Sequence, residues 1–313
     1  MTAAAAPAKM RVAATPGWLL VVGILLACLT EALASTILAL GRADIIGDTA
    51  ATPDEFAGLD VGFTAFKLIG FAFAPWLLTR VDPRQVLLAA TLVMGAASAL
   101  AAAVTGLDLL VVLRAVQGLS GATLLVAGQA ILFWTWPAAR QPFLQALFAM
   151  GSVVAPATAA PLFEGWLVDQ RDWSWIFAAV VPLSLGAAGL LILAGDTPKR
   201  PAPPRPLDLV GLLALGAALL AATYVLTQGS RWDWLEEQRI AWLSVFAIGG
   251  LALVAARQFR AGASGLFDLS VFRTEDFVFA FFVSFVAGAA LFGSAFVIPA
   301  FALSVLGFTP TEA

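Results

Sequence analysis

The chain has 313 residues, 61% of them hydrophobic and 12% charged, with a net charge of −3 and a mean hydropathy of +0.94. Soluble domains carry roughly 25% charged residues, so this composition excludes an ordinary soluble globular protein and points to a membrane. There is no His, so no side chain titrates near neutrality in its unperturbed state, and the single Cys28 excludes a disulfide framework within the chain.

Nine apolar runs are long enough to span a bilayer, at about 17–40, 59–79, 86–105, 108–133, 143–164, 174–194, 208–228, 240–256 and 277–304. They predict an all-α polytopic membrane protein with about nine transmembrane helices. The first run follows Lys9 and Arg11 but is too long for the apolar core of a signal peptide, so it reads as an anchored helix. Cys28 within it reads as a small packed core residue. Glu31 lies nine residues before the end of this run, and Lys67 eight residues after the start of the second. At 1.5 Å per residue both sit roughly 12 to 14 Å deep. A Glu and a Lys at matching depth are natural partners, because pairing lowers the cost of burying each. Two readings stay open for them: a static ion pair that fixes helix packing, or a proton or cation acceptor set by nearby positive charge. The acids of the first outer loop, Asp44, Asp48, Asp54, Glu55 and Asp60, read as a solvated surface.

Arg114 stands inside the fourth run, six residues from Asp108 and roughly 9 Å deep. A charge there faces a bundle interior or a water-filled cavity. Gln117, three residues on, shares its face, and Gly118 and Gly121 offer a smooth surface to a neighbouring helix. The fifth run holds Gly151, Pro156 and Pro161, which predict a bent helix: a flexing element or a tolerated kink. Glu164 near its outer end is expected at the interface, and Trp166, Trp173, Trp175, Trp232 and Trp234 form an aromatic belt.

The basic residues predict an orientation. With the N-terminus cytoplasmic, the inner segments hold Lys9, Arg11, Arg80, Arg84, Arg140, Lys199, Arg200, Arg205, Arg257, Arg260 and Arg273. The outer segments hold only Arg42, Arg171, Arg231 and Arg239. The Pro-rich basic stretch 195–207 reads as a cytoplasmic linker. It separates a six-helix bundle, 1–194, from an incomplete second part, 208–313, with three helices. No phosphate-binding Gly-rich loop, His/Cys cluster or nucleophile–base set appears, so no cofactor, metal, nucleic-acid partner or enzymatic activity is expected.

Leu113-Arg-Ala-Val-Gln-Gly118 resembles the fourth helix of the major facilitator superfamily, and the spacing of all nine runs resembles its fourteen-helix drug:proton antiporter branch. Ala160-Pro-Leu-Phe-Glu-Gly-Trp-Leu167, running into Asp172-Trp-Ser-Trp-Ile-Phe177, is similar to that branch's antiporter motif, which places Pro156, Pro161, Glu164 and Gly165 on the antiporter-motif helix. Leu207-Asp208-Leu-Val-Gly211 and Leu266–Arg273 follow the same style before the seventh and ninth helices. The chain departs from the pattern as well. In the gating loop Arg80 and Arg84 remain, but Pro75, Thr79 and Asp82 replace the usual Gly, Asp and Gly. Ala34-Ser-Thr-Ile stands where the branch has an acid, which Glu31 could replace; Ala160 and Glu164 replace glycines, Ser174 replaces an Arg, and Lys67 is an extra charge. The resemblance implies proton-coupled, multidrug-type efflux of small amphipathic molecules by a monomer in the bacterial inner membrane, with Glu31, Lys67, Arg114 and Gln117 as the coupling residues. The alternatives are a metabolite facilitator without proton coupling and a non-transporting scaffold or sensor. The resemblance further implies that five more helices would follow, and that these nine alone would not transport.

Overall fold

The computed structural model describes residues 17–195, 206–261, 265–267 and 269–308; Lys9, Arg11, Lys199, Arg200, Arg205, Asp268, most of the linker and the last five positions lie outside them. Among the described residues the regular structure is all helical. Seven helices among the described residues are long and apolar enough to cross a membrane: α1 (Trp18–Leu40), α3 (Pro53–Leu78), α4 (Pro83–Ala103), α5 (Leu107–Thr135), α9 (Ser174–Leu193), α10 (Leu209–Gln228) and α11 (Gln238–Ala261). A short helix, α2 (Arg42–Thr49), follows α1. A last apolar helix, α12 (Glu275–Phe301), has 27 residues, beyond the roughly 20 that a bilayer requires.

The remaining expected span, 143–164, differs from a single bent helix. It is broken into α6 (Gln141–Ala149), a π-helical turn at Met150–Val154, α7 (Ala155–Ala157) and α8 (Ala159–Gln170). Thr158, at φ −132° and ψ −68°, leaves the helical region between α7 and α8. Pro161 can supply no N–H to the turn before it, and Pro156 lies within α7, so the chain satisfies its backbone in short pieces.

Helix α3 begins at Pro53 rather than near 59. Thr52 accepts from the Glu55 backbone N–H while the Glu55 carboxylate accepts from the Thr52 backbone N–H, a capping box completed by Pro53 at the first helical position. Asp54, Glu55 and Asp60 therefore belong to the first turns of a helix and not to a loop.

Helices α1, α3, α4, α5 and α9 pack into one bundle, with α8 lying on α1 and α9. Its core has one cluster around Leu20, Ile24, Met94, Leu124 and Leu191, and a second around Ile37, Leu59, Leu110, Ile176 and Phe177. Cys28 is fully buried in the first. The pair α10–α11 packs on α3 through Ala72, Leu215 and Val254. At one end Asp54 takes Arg231 at 3.2 Å and the Gln228 amide at 3.2 Å.

At the other end Asp208 caps α10, accepting from the Gly211 N–H at 2.9 Å and from Arg257 on α11 at 2.9 Å. Gly211's N–H, and secondarily Arg257, hold its carboxyl below the usual aspartate range. Because the folded-state value is depressed, the cap's contribution is present above the unfolded aspartate pKa and is lost as pH falls through the lower, folded one. Replacing Asp208 with Ala should cost about 1 kcal/mol of stability at neutral pH and less in acid, measurable by thermal unfolding at two pH values.

Candidate intramembrane charge site

The site is assembled by spacing along three helices. On α3, Phe63 and Lys67 are four residues apart and share a face. On α5, Arg114, Gln117, Gly118 and Gly121 run along the face turned to α1 and α3. On α1, Glu31 and Ala34 meet them.

Two glycines permit this approach. A Cβ at Gly118 would come 2.1 Å from the Phe63 carbonyl oxygen and 3.0 Å from the Lys67 backbone nitrogen. A Cβ at Gly121 would lie 2.9 Å from Glu31 Cγ. Small residues let membrane helices come close enough for polar groups to meet without water.

Glu31 is buried, with 1% of its side chain exposed, and Lys67 Nζ lies 2.5 Å from its Oε1; Lys67 itself is 24% exposed. One partner of the pair is dry and the other reaches the edge of the bundle. Arg114 is fully buried and donates from Nη1 to the Ala34 carbonyl at 2.6 Å and to Gln117 Oε1 at 3.0 Å. Gln117 passes the chain on, donating to Ser98 Oγ on α4 at 2.9 Å. Arg114 Nε and Nη2 have no hydrogen-bond partner. The Phe63 ring lies between the two cations, 4.0 Å from Arg114 Cζ and 5.5 Å from Lys67 Nζ. Its π face offsets part of the lost hydration of each cation.

Glu164 is not at an interface. It is fully buried in α8, and Thr36 Oγ of α1 meets its Oε1 at 2.7 Å, while its Oε2 has no partner. Gly165 beside it is buried too. The gating-loop residues form a separate group at the ends of α3, α4 and α9. Asp82 caps α4 by accepting from the Arg84 N–H at 3.0 Å. Arg84 reaches across to the end of α9, donating to the carbonyls of Leu191 and Ile192. Arg80 stacks on Trp76 at 5.7 Å.

Sequence reading missed Phe63, Ser98 and Thr36. Phe63 was findable, as an aromatic one helical turn before a buried Lys. Ser98 carries no signal beyond being polar within an apolar helix, and Thr36 stands out only as a member of Ala34-Ser-Thr-Ile.

The apolar helices thus close around four ionisable side chains, Glu31, Lys67, Arg114 and Glu164, and no cluster able to hold a metal lies among the described residues. Residues 20–313 match the Major Facilitator Superfamily model, so the chain belongs to that family and is a multi-pass membrane protein. It is 24% identical over 295 residues to the multidrug export protein EmrB of Escherichia coli K12, covering 94% of this chain and 57% of that protein. To the fatty acid resistance protein FarB of Neisseria gonorrhoeae it is 25% identical, over 91% of this chain and 56% of the relative. Among solved structures it is similar to an inward-facing, unoccupied bacterial homologue of the human lysosomal transporter Spinster, at 15% identity and a TM-score of 0.44, over 77% of this chain and 60% of that one. The chain spans about half the length of the curated relatives it matches.

Proposed function

We propose that the protein exports small amphipathic molecules across the bacterial inner membrane in exchange for protons, by alternating access. The buried Glu31–Lys67 pair carries this reading, because a buried carboxylate held by a partly exposed ammonium can be opened by a proton or by a cationic substrate group. On this reading the N-terminus is cytoplasmic, as the excess of basic residues on one set of loops supports.

Ionised Glu31 holds Lys67 and so joins α1 to α3. Protonation of Glu31 removes the attraction and frees the ammonium, and the two helices lose that link. Arg114 keeps hold of the α1 backbone at Ala34 throughout and sets the potential at Glu31. Proton and substrate are coupled because each biases the same two-state bundle. The relatives described as multidrug export and fatty acid resistance proteins support amphipathic substrates as a class.

The test is drug efflux from proteoliposomes holding the protein as encoded by its gene, with an imposed pH gradient. Efflux should follow the gradient and stop when a protonophore collapses it; efflux indifferent to the protonophore would favour a facilitator without proton coupling.

A further inference from the structure

Glu164 has a burial like that of Glu31 but none of its compensation. It is 0% exposed, and among the described residues no cation lies within ion-pair distance and its one hydrogen-bond partner is the Thr36 hydroxyl. A fully buried carboxylate with one hydrogen bond is a costly arrangement. The hydroxyl adds a second constraint. Thr36 Oγ lies 2.7 Å from Glu164 Oε1, 3.1 Å from the Ala32 carbonyl and 3.3 Å from the Leu33 carbonyl. A hydroxyl has one hydrogen and cannot donate to all three. The contacts close into a chain if the carboxyl brings its own hydrogen: Glu164 O–H donates to Thr36 Oγ, and Thr36 donates back to Ala32, the usual bond of a Thr within a helix.

The surroundings also provide for the ionised form. Arg114 on α5 is within electrostatic reach of Glu164, and its Nε and Nη2 donors are unused. The other charges near Arg114 are Glu31 on α1, already held by Lys67, and Asp60 on α3. Helices α7 and α9, which also touch α8, carry no charged residue; α8 itself has Asp169 further along. Backbone breaks at the π turn Met150–Val154 and at Thr158 leave α8 a twelve-residue helix jointed to what precedes it.

We infer that Glu164 is a second intramembrane proton-binding site, which holds its proton while α8 lies on α1 and releases it as α8 moves off. On release the proton passes from the carboxyl to water. Water replaces Thr36 as the donor to the carboxylate, and Arg114, whose Nε and Nη2 are unused, supplies the balancing charge. The transport role of this proton rests on the exporter reading above; the location of the proton does not.

Infrared pH titration of the encoded protein in lipid reads the proton directly. A C=O stretching band of a protonated carboxyl should be present at neutral pH, vanish in Glu164→Gln and survive in Glu31→Gln. Thr36→Val should keep the band and shift its position, because the hydrogen-bond acceptor is gone. Apolar carbodiimide labelling of the unsubstituted protein, mapped by mass spectrometry, should mark Glu164 and spare ion-paired Glu31. No band at neutral pH, a band that outlives Glu164→Gln, or an unlabelled Glu164 would overturn the inference, while loss of transport in Glu31→Gln alone would leave it standing.

Discussion

Replacing Glu31 with Gln is expected to abolish pH-driven export by the encoded protein while leaving its membrane insertion intact. Gln keeps the size of the side chain next to Gly121 but neither binds a proton nor attracts Lys67. Losing a coupling free energy of roughly 3 kcal/mol corresponds to about a 100-fold fall in gradient-driven accumulation. The same change leaves Lys67 without its counter-ion. Removing one partner of a fully buried pair costs roughly 3–5 kcal/mol, but Lys67 is 24% exposed and can move its ammonium outward, so about 1–2 kcal/mol is expected here. The double variant Glu31→Gln, Lys67→Met separates packing from coupling: it should regain thermal stability and remain inactive. Transport restored along with stability would reduce the pair to a structural pin.

The second large effect is expected from Gly118→Val. Its Cβ alone would stand 2.1 Å from the Phe63 carbonyl, a backbone atom that cannot swing aside, so α3 must move away from α5. Forced overpacking costs about 1–3 kcal/mol, and the upper end applies where backbone meets backbone. The displacement also carries Phe63 off Arg114 and Lys67 off Glu31, so transport falls with stability. Gly121→Ala should be milder, because the atom in its way is a side-chain carbon, Glu31 Cγ at 2.9 Å, and not backbone. Gly58→Ala, with an ordinary 3.5 Å contact to Val111, should change little. Thermal unfolding of the three purified variants ranks them.

The legibility of this molecule follows from which interactions are local. Runs of apolar residues locate most of the helices, because each must satisfy its own backbone in lipid. Depth counting puts Glu31 and Lys67 on one level, and in the fold their charged atoms are 2.5 Å apart. Hydropathy placed the start of α3 late, because Thr52-Pro-Asp-Glu55 is polar; its capping box was readable as the Thr-x-x-Glu pattern. The break in the fifth span was legible only as Pro156 and Pro161, since a π turn has no composition of its own. Glu164 was misplaced for a different reason. Its position in sequence, six residues before Gln170, suggests a helix end, but its burial comes from Thr36 on a helix 128 residues away. Such a contact belongs to the tertiary fold alone.

Proton release on substrate binding tests coupling at Glu31 most directly. A pH indicator in weakly buffered solution, with the encoded protein in detergent and an amphipathic cation added, reads it in one titration. Starting from solution acidic enough to protonate Glu31 and open the pair, the expected result is release of protons as substrate binds, smaller by about one per substrate in Glu31→Gln. Substrate binding with the same proton release in both proteins, or with none in either, would contradict a proton site at Glu31.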